Sequence, residues 1–300
     1  MKARALLLAL VSACAVPASA QDAPAGEWAR YRLDGPAPWR YARAVEGAGY
    51  RVVLSSPDGK ALEVRVEVPA SPLTADAPFP PAPATLSSEA RSALADPLAD
   101  DLDLDSLSRS LLAGARSTLE AVERVIAFTA HRIRYALPDG SPETASLTLR
   151  ARRGSCVGRS LLAAELLLRA GVPARQVTGI LAAQRARELT PESRAVFNAE
   201  LGGVRHRWIE VFVPGLGWVP SDPSGLANTV TARHLALDRQ PPAGFHVGVA
   251  ARSAELKRPV LETAEGGLTL YRPRGASVVE AVEGAPLDAR GLAAPGPARR

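Results

Sequence analysis

The chain has 300 residues, with only two cysteines and four histidines. That inventory excludes a disulfide-stapled mini-protein; a four-ligand Cys/His zinc site would consume nearly every soft ligand, and no Cys-x-x-Cys pair exists. A composition that is 47% hydrophobic and 22% charged is that of a globular protein, and a formal charge of +5 on scattered basic residues gives no sign of a nucleic-acid partner.

Residues 1–20 read as a secretory signal peptide. Lys2 and Arg4 form the positive start, residues 5–11 the apolar stretch, and Ala18-Ser19-Ala20 a small-residue cleavage site. The apolar stretch is shorter than the ~20 residues a bilayer requires, and no other stretch approaches that length, so no membrane span is expected. Val11-Ser12-Ala13-Cys14 also resembles a bacterial lipobox, which gives a second reading with a lipid anchor at Cys14. Cleavage after Ala20 removes Cys14, Lys2 and Arg4, and the formal charge drops to +3. The expected location is periplasmic or secreted.

Residues 21–69 form a small N-terminal β-unit. Tyr50–Ser56 and Ala61–Val68 flank the turn Pro57-Asp58-Gly59-Lys60, and Leu62, Val64, Val66 and Val68 alternate with polar residues as in a half-buried strand. Residues 70–105 are expected to be a Pro-rich and then acidic linker. Within it Asp101-x-Asp103-x-Asp105 imitates an EF-hand loop, but Ser106 and Leu112 stand where Gly and Glu are needed. A solvated loop with Asp105 capping the next helix is the reading that remains. Residues 106–275 form the main core and 276–300 a flexible tail.

In the core, Ser117-x-x-Glu120 is a capping box that opens a helix through Tyr135. On it, His131 reads as a surface or packing residue. A second helix runs from near Cys156 to Arg169, closed by Gly171 and Pro173. A strand (Gln176–Leu181), a polar stretch (184–203), a hairpin (206–222) and a β-rich end follow, the last with a hairpin signal at Glu265-Gly266-Gly267.

The chemistry concentrates on Cys156, at the start of the second helix. Helix N-termini favour thiolate over thiol, and their unpaired N–H groups can receive an oxyanion. Position alone does not make a nucleophile, because a buried cysteine at a helix start is common. The hairpin adds the rest. His206 begins one strand and Asp222 follows the next, so both lie at one sheet end, provided the register puts them on one face. Cys, His and an acid together are the set for acyl transfer through a thioester.

Three blocks then carry a family resemblance. They are Leu149-x-x-Arg152-x-Gly154-x-Cys156, continued through Gly171-Val172-Pro173-Ala174-Arg175 to Val177-x-Gly179; His206-x-Trp208-x-Glu210-Val211; and Gly217-Trp218-x-x-x-Asp222-Pro223. In that order they resemble the transglutaminase-like superfamily, a papain-like cysteine-enzyme core. Ser224 stands where Thr is frequent. The resemblance implies an α+β fold, with the nucleophile at a helix N-terminus packed on an antiparallel sheet. It implies Cys156 as nucleophile, His206 as base and Asp222 as its orienter. It also implies a peptide or protein substrate, with hydrolysis or transfer to an amine both open. No metal or organic cofactor is expected.

Two other readings compete. A non-catalytic secreted module on the same fold is one. The other is an α/β-hydrolase elbow at Gly154-x-Cys156-x-Gly158, with Asp222 and then His234 or His246, which leaves the hairpin unexplained. His234 and His246 are otherwise read as late-loop or strand residues. Trp208 and Trp218 read as hairpin packing, and Glu210 as a solvated strand carboxylate. Arg152, Arg153 and Arg159 read either as a solvated face or as groups that lower the thiol pKa or attract an acidic substrate.

Overall fold

In the computed structural model, the structure describes residues 26–56, 61–75, 77–96, 98–137, 139–182 and 196–253, with the strand segments 262–264, 267–270 and 279–282. The expected signal peptide, Cys14, the Pro57–Lys60 turn and residues 283–300 lie outside the described residues.

The N-terminal strands are β1 (Gly26–Asp34), β2 (Val45–Gly47), β3 (Tyr50–Ser55) and β4 (Leu62–Pro69). Leu62, Val64, Val66 and Val68 of β4 all point inward, as their alternation predicts. The stretch expected as a linker carries α1 (Ser88–Ala95), capped by the Ser87 side chain. Its Ala90 and the preceding Leu86 pack against Phe212. Asp101, not Asp105, caps α2 (Leu102–Leu112), accepting the Asp103 and Leu104 N–H groups at 3.0 and 3.1 Å. Asp105 instead lies in the first helical turn and pairs with Arg169.

Helix α3 (Thr118–Arg132) starts at the expected cap, Ser117, which accepts from the Glu120 N–H. It ends three residues earlier than expected, because Arg134–Tyr135 become β5. Then follow α4 (Ala145–Ala151), β6 (Arg153–Gly154), α5 (Cys156–Arg169) and β7 (Ala174–Ala182). Helix α5 closes with paired bonds from the Gly171 N–H to the Leu168 carbonyl and from the Val172 N–H to the Leu167 carbonyl. Gly171 takes φ 76°, the left-handed conformation this closure requires. The remaining strands are β8 (Gly203–Val213), β9 (Gly217–Ser221), β10 (His234–Leu237), β11 (His246–Arg252), β12 (Glu262–Ala264), β13 (Gly267–Leu270) and β14 (Val279–Val282). The last of these falls inside the expected tail, where it pairs with β13.

Two antiparallel sheets organise the molecule. One runs β11-β1-β4-β3-β2, the other β10-β7-β8-β9. The N-terminal β-unit is therefore completed by a strand from the far end of the chain. Helices α2, α3, α4 and α5 pack together around Leu104, Val122, Ile126, Leu162 and Leu166, and this core includes Ile209 and Val211 of β8. A second core, which joins Tyr31, Val64 and Val66 to Val177, Trp208 and Leu235, fills the space between the sheets. The central sheet is thus covered by helices on one side and by the N-terminal sheet on the other. This is an α+β fold with the helix start of Cys156 set against an antiparallel sheet. Among the described residues, no helix is long and apolar enough to cross a membrane.

Candidate active site

Cys156 is the first residue of α5, and the preceding Ser155 is the cap. The Ser155 hydroxyl accepts the Val157 N–H at 3.1 Å. Ser155 is itself gripped by Glu143, whose carboxylate accepts both its N–H, at 2.6 Å, and its hydroxyl. A carboxylate here also suits the positive end of the helix. The parallel ribbon of β5 and β6 fixes the approach to Cys156, with Arg134 paired to Arg153 and Tyr135 to Gly154. The two glycines of Gly154-x-Cys156-x-Gly158 have a steric reason. A Cβ at Gly158 would lie 2.5 Å from Thr148 Oγ1 and 2.7 Å from Glu143 Oε1, and one at Gly154 would lie 2.9 Å from Thr148 Cγ2. The nucleophile helix therefore docks on α4 at a distance only glycine permits. Cys156 is a free, half-buried thiol.

The β8–β9 ladder pairs Ile209 with Ser221. One step further, Asp222 falls across from Trp208 and diagonal to His206, on the same face of the sheet, which is the register the sequence left undetermined. His206 Nε2 donates to Asp222 Oδ2 at 2.9 Å, and both residues are buried. The other ring nitrogen, Nδ1, is the one left for the thiol, and Cys156 lies near enough to favour the charged imidazole. Burial disfavours the imidazolium, but the Asp222 carboxylate and the Cys156 sulfur outweigh it and push His206 up to about 10. Burial likewise opposes the Asp222 charge, yet His206 and His234 hold that carboxyl well below its usual range. Asp222 Oδ1 accepts the Ser224 N–H at 2.9 Å. The Asp222 backbone is pinned to Leu226 by N–H···O bonds of 2.8 and 2.9 Å.

His234 departs from its reading as an ordinary strand residue. Its Nε2 lies 3.0 Å from Asp222 Oδ2, so one carboxylate oxygen serves two buried histidines. The sequence offered no signal for this, because β10 reaches the site only through its pairing with β7. His246 stays apart, with Nδ1 donating to the Glu200 carbonyl on the surface. Glu210 is not solvated: it is 1% exposed and bound by Arg43 at 3.0 Å and Arg175 at 2.8 Å. The reason is its central strand, covered on both faces. Arg159 is no solvated face either. It is 7% exposed, donates to the Ile133 carbonyl and lies over the Tyr135 ring. Burial lowers its pKa against the pull of the Asp222 and Cys156 charges. Arg152 and Arg153 are exposed. Trp208 is fully buried and stacks on His206 with centroids 6.0 Å apart. Trp218 packs against Phe212, donates to Glu89 and lies under the Arg175 guanidinium.

His206, Asp222 and His234 place three candidate metal ligands within 4.8 Å of one another. The tautomer of His234 speaks against that use. Its Nδ1 accepts the Thr231 N–H at 3.2 Å, so Nε2 carries the proton and donates to Asp222. A metal-binding histidine presents the opposite face, with its second nitrogen donating.

Residues 105–223 match the family model described as the transglutaminase-like superfamily, and the match spans Cys156, His206 and Asp222. Over that segment the chain is similar to this superfamily. Three solved structures are similar to the chain. The periplasmic domain of TgpA from Pseudomonas aeruginosa is 17% identical, with 67% of this chain and 71% of that one covered and a TM-score of 0.44. A Cytophaga hutchinsonii protein, provisionally described as a cysteine protease, is 14% identical over 77% and 88% of the two chains, with a TM-score of 0.41. Red sea bream transglutaminase is 12% identical over 66% of this chain and 46% of that one, with a TM-score of 0.33. No curated protein matches the chain. The matched segment begins inside α2, so β1–β4 and α1 precede it, and β10 and β11 follow it.

Proposed function

We propose that this protein is an exported cysteine enzyme that breaks amide bonds, in peptides or glutamine side chains, through a Cys156–His206–Asp222 triad. The observation that carries this is His206, bonded through one ring nitrogen to the buried Asp222 carboxylate and raised in pKa by the nearby Cys156, which starts a helix. The Cys156 thiolate attacks the amide carbon, and the carbonyl electron pair moves onto oxygen beside the first N–H of α5, which has no intrahelical acceptor. The intermediate collapses, the C–N bond breaks, and the His206 imidazolium delivers its proton to the departing amine. A thioester remains on Cys156. Neutral His206 then takes a proton from the acceptor, water or a primary amine, as it attacks the thioester. The Cys156 thiolate leaves, and the thiolate–imidazolium pair is restored. Asp222 fixes the ring and stabilises the imidazolium throughout.

Iodoacetamide labelling tests the nucleophile. Selective alkylation of Cys156 that persists at acid pH and is lost in His206→Ala supports catalysis. A sluggish thiol with an ordinary profile returns the protein to the reading of a non-catalytic binding module. Incubation with a glutamine-containing protein and a labelled primary amine decides the acceptor. Incorporation of label means transfer, and release of ammonia or peptide alone means hydrolysis. The leader-like sequence of residues 1–20 supports a periplasmic or secreted location.

A further inference from the structure

The residue the triad does not use is His234. It is 2% exposed, and its ring is held on every side. Nδ1 accepts from the Thr231 N–H and lies 3.0 Å from the Thr231 hydroxyl. The ring stands edge-on to Trp208 at 5.3 Å and to His206 at 5.5 Å. Its one free donor, Nε2–H, meets the same Asp222 oxygen that holds His206.

The backbone that carries His234 is gripped from the other sheet. Glu27 Oε1 accepts the Ala232 N–H at 2.7 Å, and the Tyr31 hydroxyl donates to the Ala232 carbonyl at 2.7 Å. The Tyr50 hydroxyl donates to the His234 carbonyl and accepts the Ala236 N–H at 3.2 Å. Three buried side chains of β1 and β3, Glu27, Tyr31 and Tyr50, thus converge on residues 232–236.

We infer that His234 is a positioning residue of the triad, a second histidine that orients the Asp222 carboxylate toward His206, and that the N-terminal sheet exists in part to hold it there. This rests on the triad reading. A carboxylate with one donor can rotate or take up a proton. With donors from His206, His234 and Ser224 it is fixed in plane and stays charged. The charged groups facing this network are His206 on β8, Arg159 and Cys156 on α5, and Arg233 beside His234 itself.

The test is the pH profile of Cys156 alkylation by iodoacetamide, in the full chain, for wild type, His206→Ala, His234→Ala, His234→Gln and Tyr50→Phe. Each variant's folding is checked by thermal melting. Without the His234 donor Asp222 protonates more readily and the imidazolium is less well held, so the acid limb moves to higher pH. We expect about one pH unit for His234→Ala, or about tenfold slower labelling on that limb. Glutamine places an N–H donor near the position of Nε2, so His234→Gln restores most of the limb. Tyr50→Phe shifts it in the same direction by less. Profiles of wild type and His234→Ala that superimpose overturn the inference, as does His234→Gln behaving like His234→Ala. So does a stoichiometric metal ion in the purified wild type that His234→Ala loses. If wild type itself shows no acid limb dependent on His206, the triad reading fails first, and the two failures are told apart.

Discussion

Arg43 and Glu210 meet across 167 residues of sequence, guanidinium to carboxylate at 3.0 Å, and so tie the loop before β2 to the middle of the central strand. Arg175 from β7 completes the pair at 2.8 Å. A buried carboxylate held by two cations is costly to leave half-made. Glu210→Ala takes this carboxylate from Arg43 and leaves Arg175 with Glu89, and is expected to lose about 1–3 kcal/mol in urea unfolding. Arg43→Ala leaves Arg175 in place and is expected to lose clearly less. Equal losses from the two variants would contradict this account.

Gly158 gives a prediction of unusual sign. In an ordinary helix interior, Gly→Ala gains about 1 kcal/mol. Here the new methyl would strike Thr148 and Glu143. Gly158→Ala is expected to destabilise by about 1–3 kcal/mol, as overpacking does. Adding Thr148→Ala should recover part of that loss. Thermal melting of the single and double variants measures both.

The pH dependence of stability follows from His206 and Asp222. Because His206 is raised from 6.5 to about 10, its contribution is complete below pH 6.5 and fades as pH climbs towards 10. Because Asp222 is depressed, its contribution is complete above the usual carboxyl value of 3.8 and fades as pH falls below it. Wild type should therefore lose stability between pH 6.5 and 10 more steeply than Asp222→Asn, in which the cause of the raised His206 is gone. Melting temperatures across that window decide it, and parallel curves would contradict it.

The proposed export predicts a defined mature end. Expressed with its own leader in a bacterial host, the protein should be recovered beginning at Gln21, and Cys14→Ser should leave processing unchanged. A mass that retains a lipidated Cys14 would replace this reading with the anchored one.

The parts that were legible in the sequence share one property: their signals are local. Ser117 with Glu120, Gly171 with Pro173, and the Trp208–Trp218 hairpin each announce themselves within a few residues, and each structural counterpart lies close to where it was expected. The meeting of His206 and Asp222 was legible because a hairpin carries both. His234 and Glu210 were not. Their environment is set by strands far away in sequence: β10 enters through β7, and Arg43 arrives from the N-terminal unit. The linker was misread for a similar reason. Six prolines between 69 and 85 mask the fact that Ala77 and Leu86 are buried against the core. Asp101 took the cap expected of Asp105 because three aspartates at alternate positions offer the same chemistry, and local spacing does not choose among them.

The pairing of β1 with β11 also orders events in time. The first described strand pairs early with β4 on one edge, but its other edge stays open until residues 246–252 have been made, and its braces wait for residues 232–236. Such distant pairing is slow to form. Cys156 is synthesised well before His206, Asp222 and His234, so a nascent or translocating chain holds an ordinary thiol with no imidazole beside it. The order of these segments therefore delays assembly of the candidate site until residues 206–237 have been made.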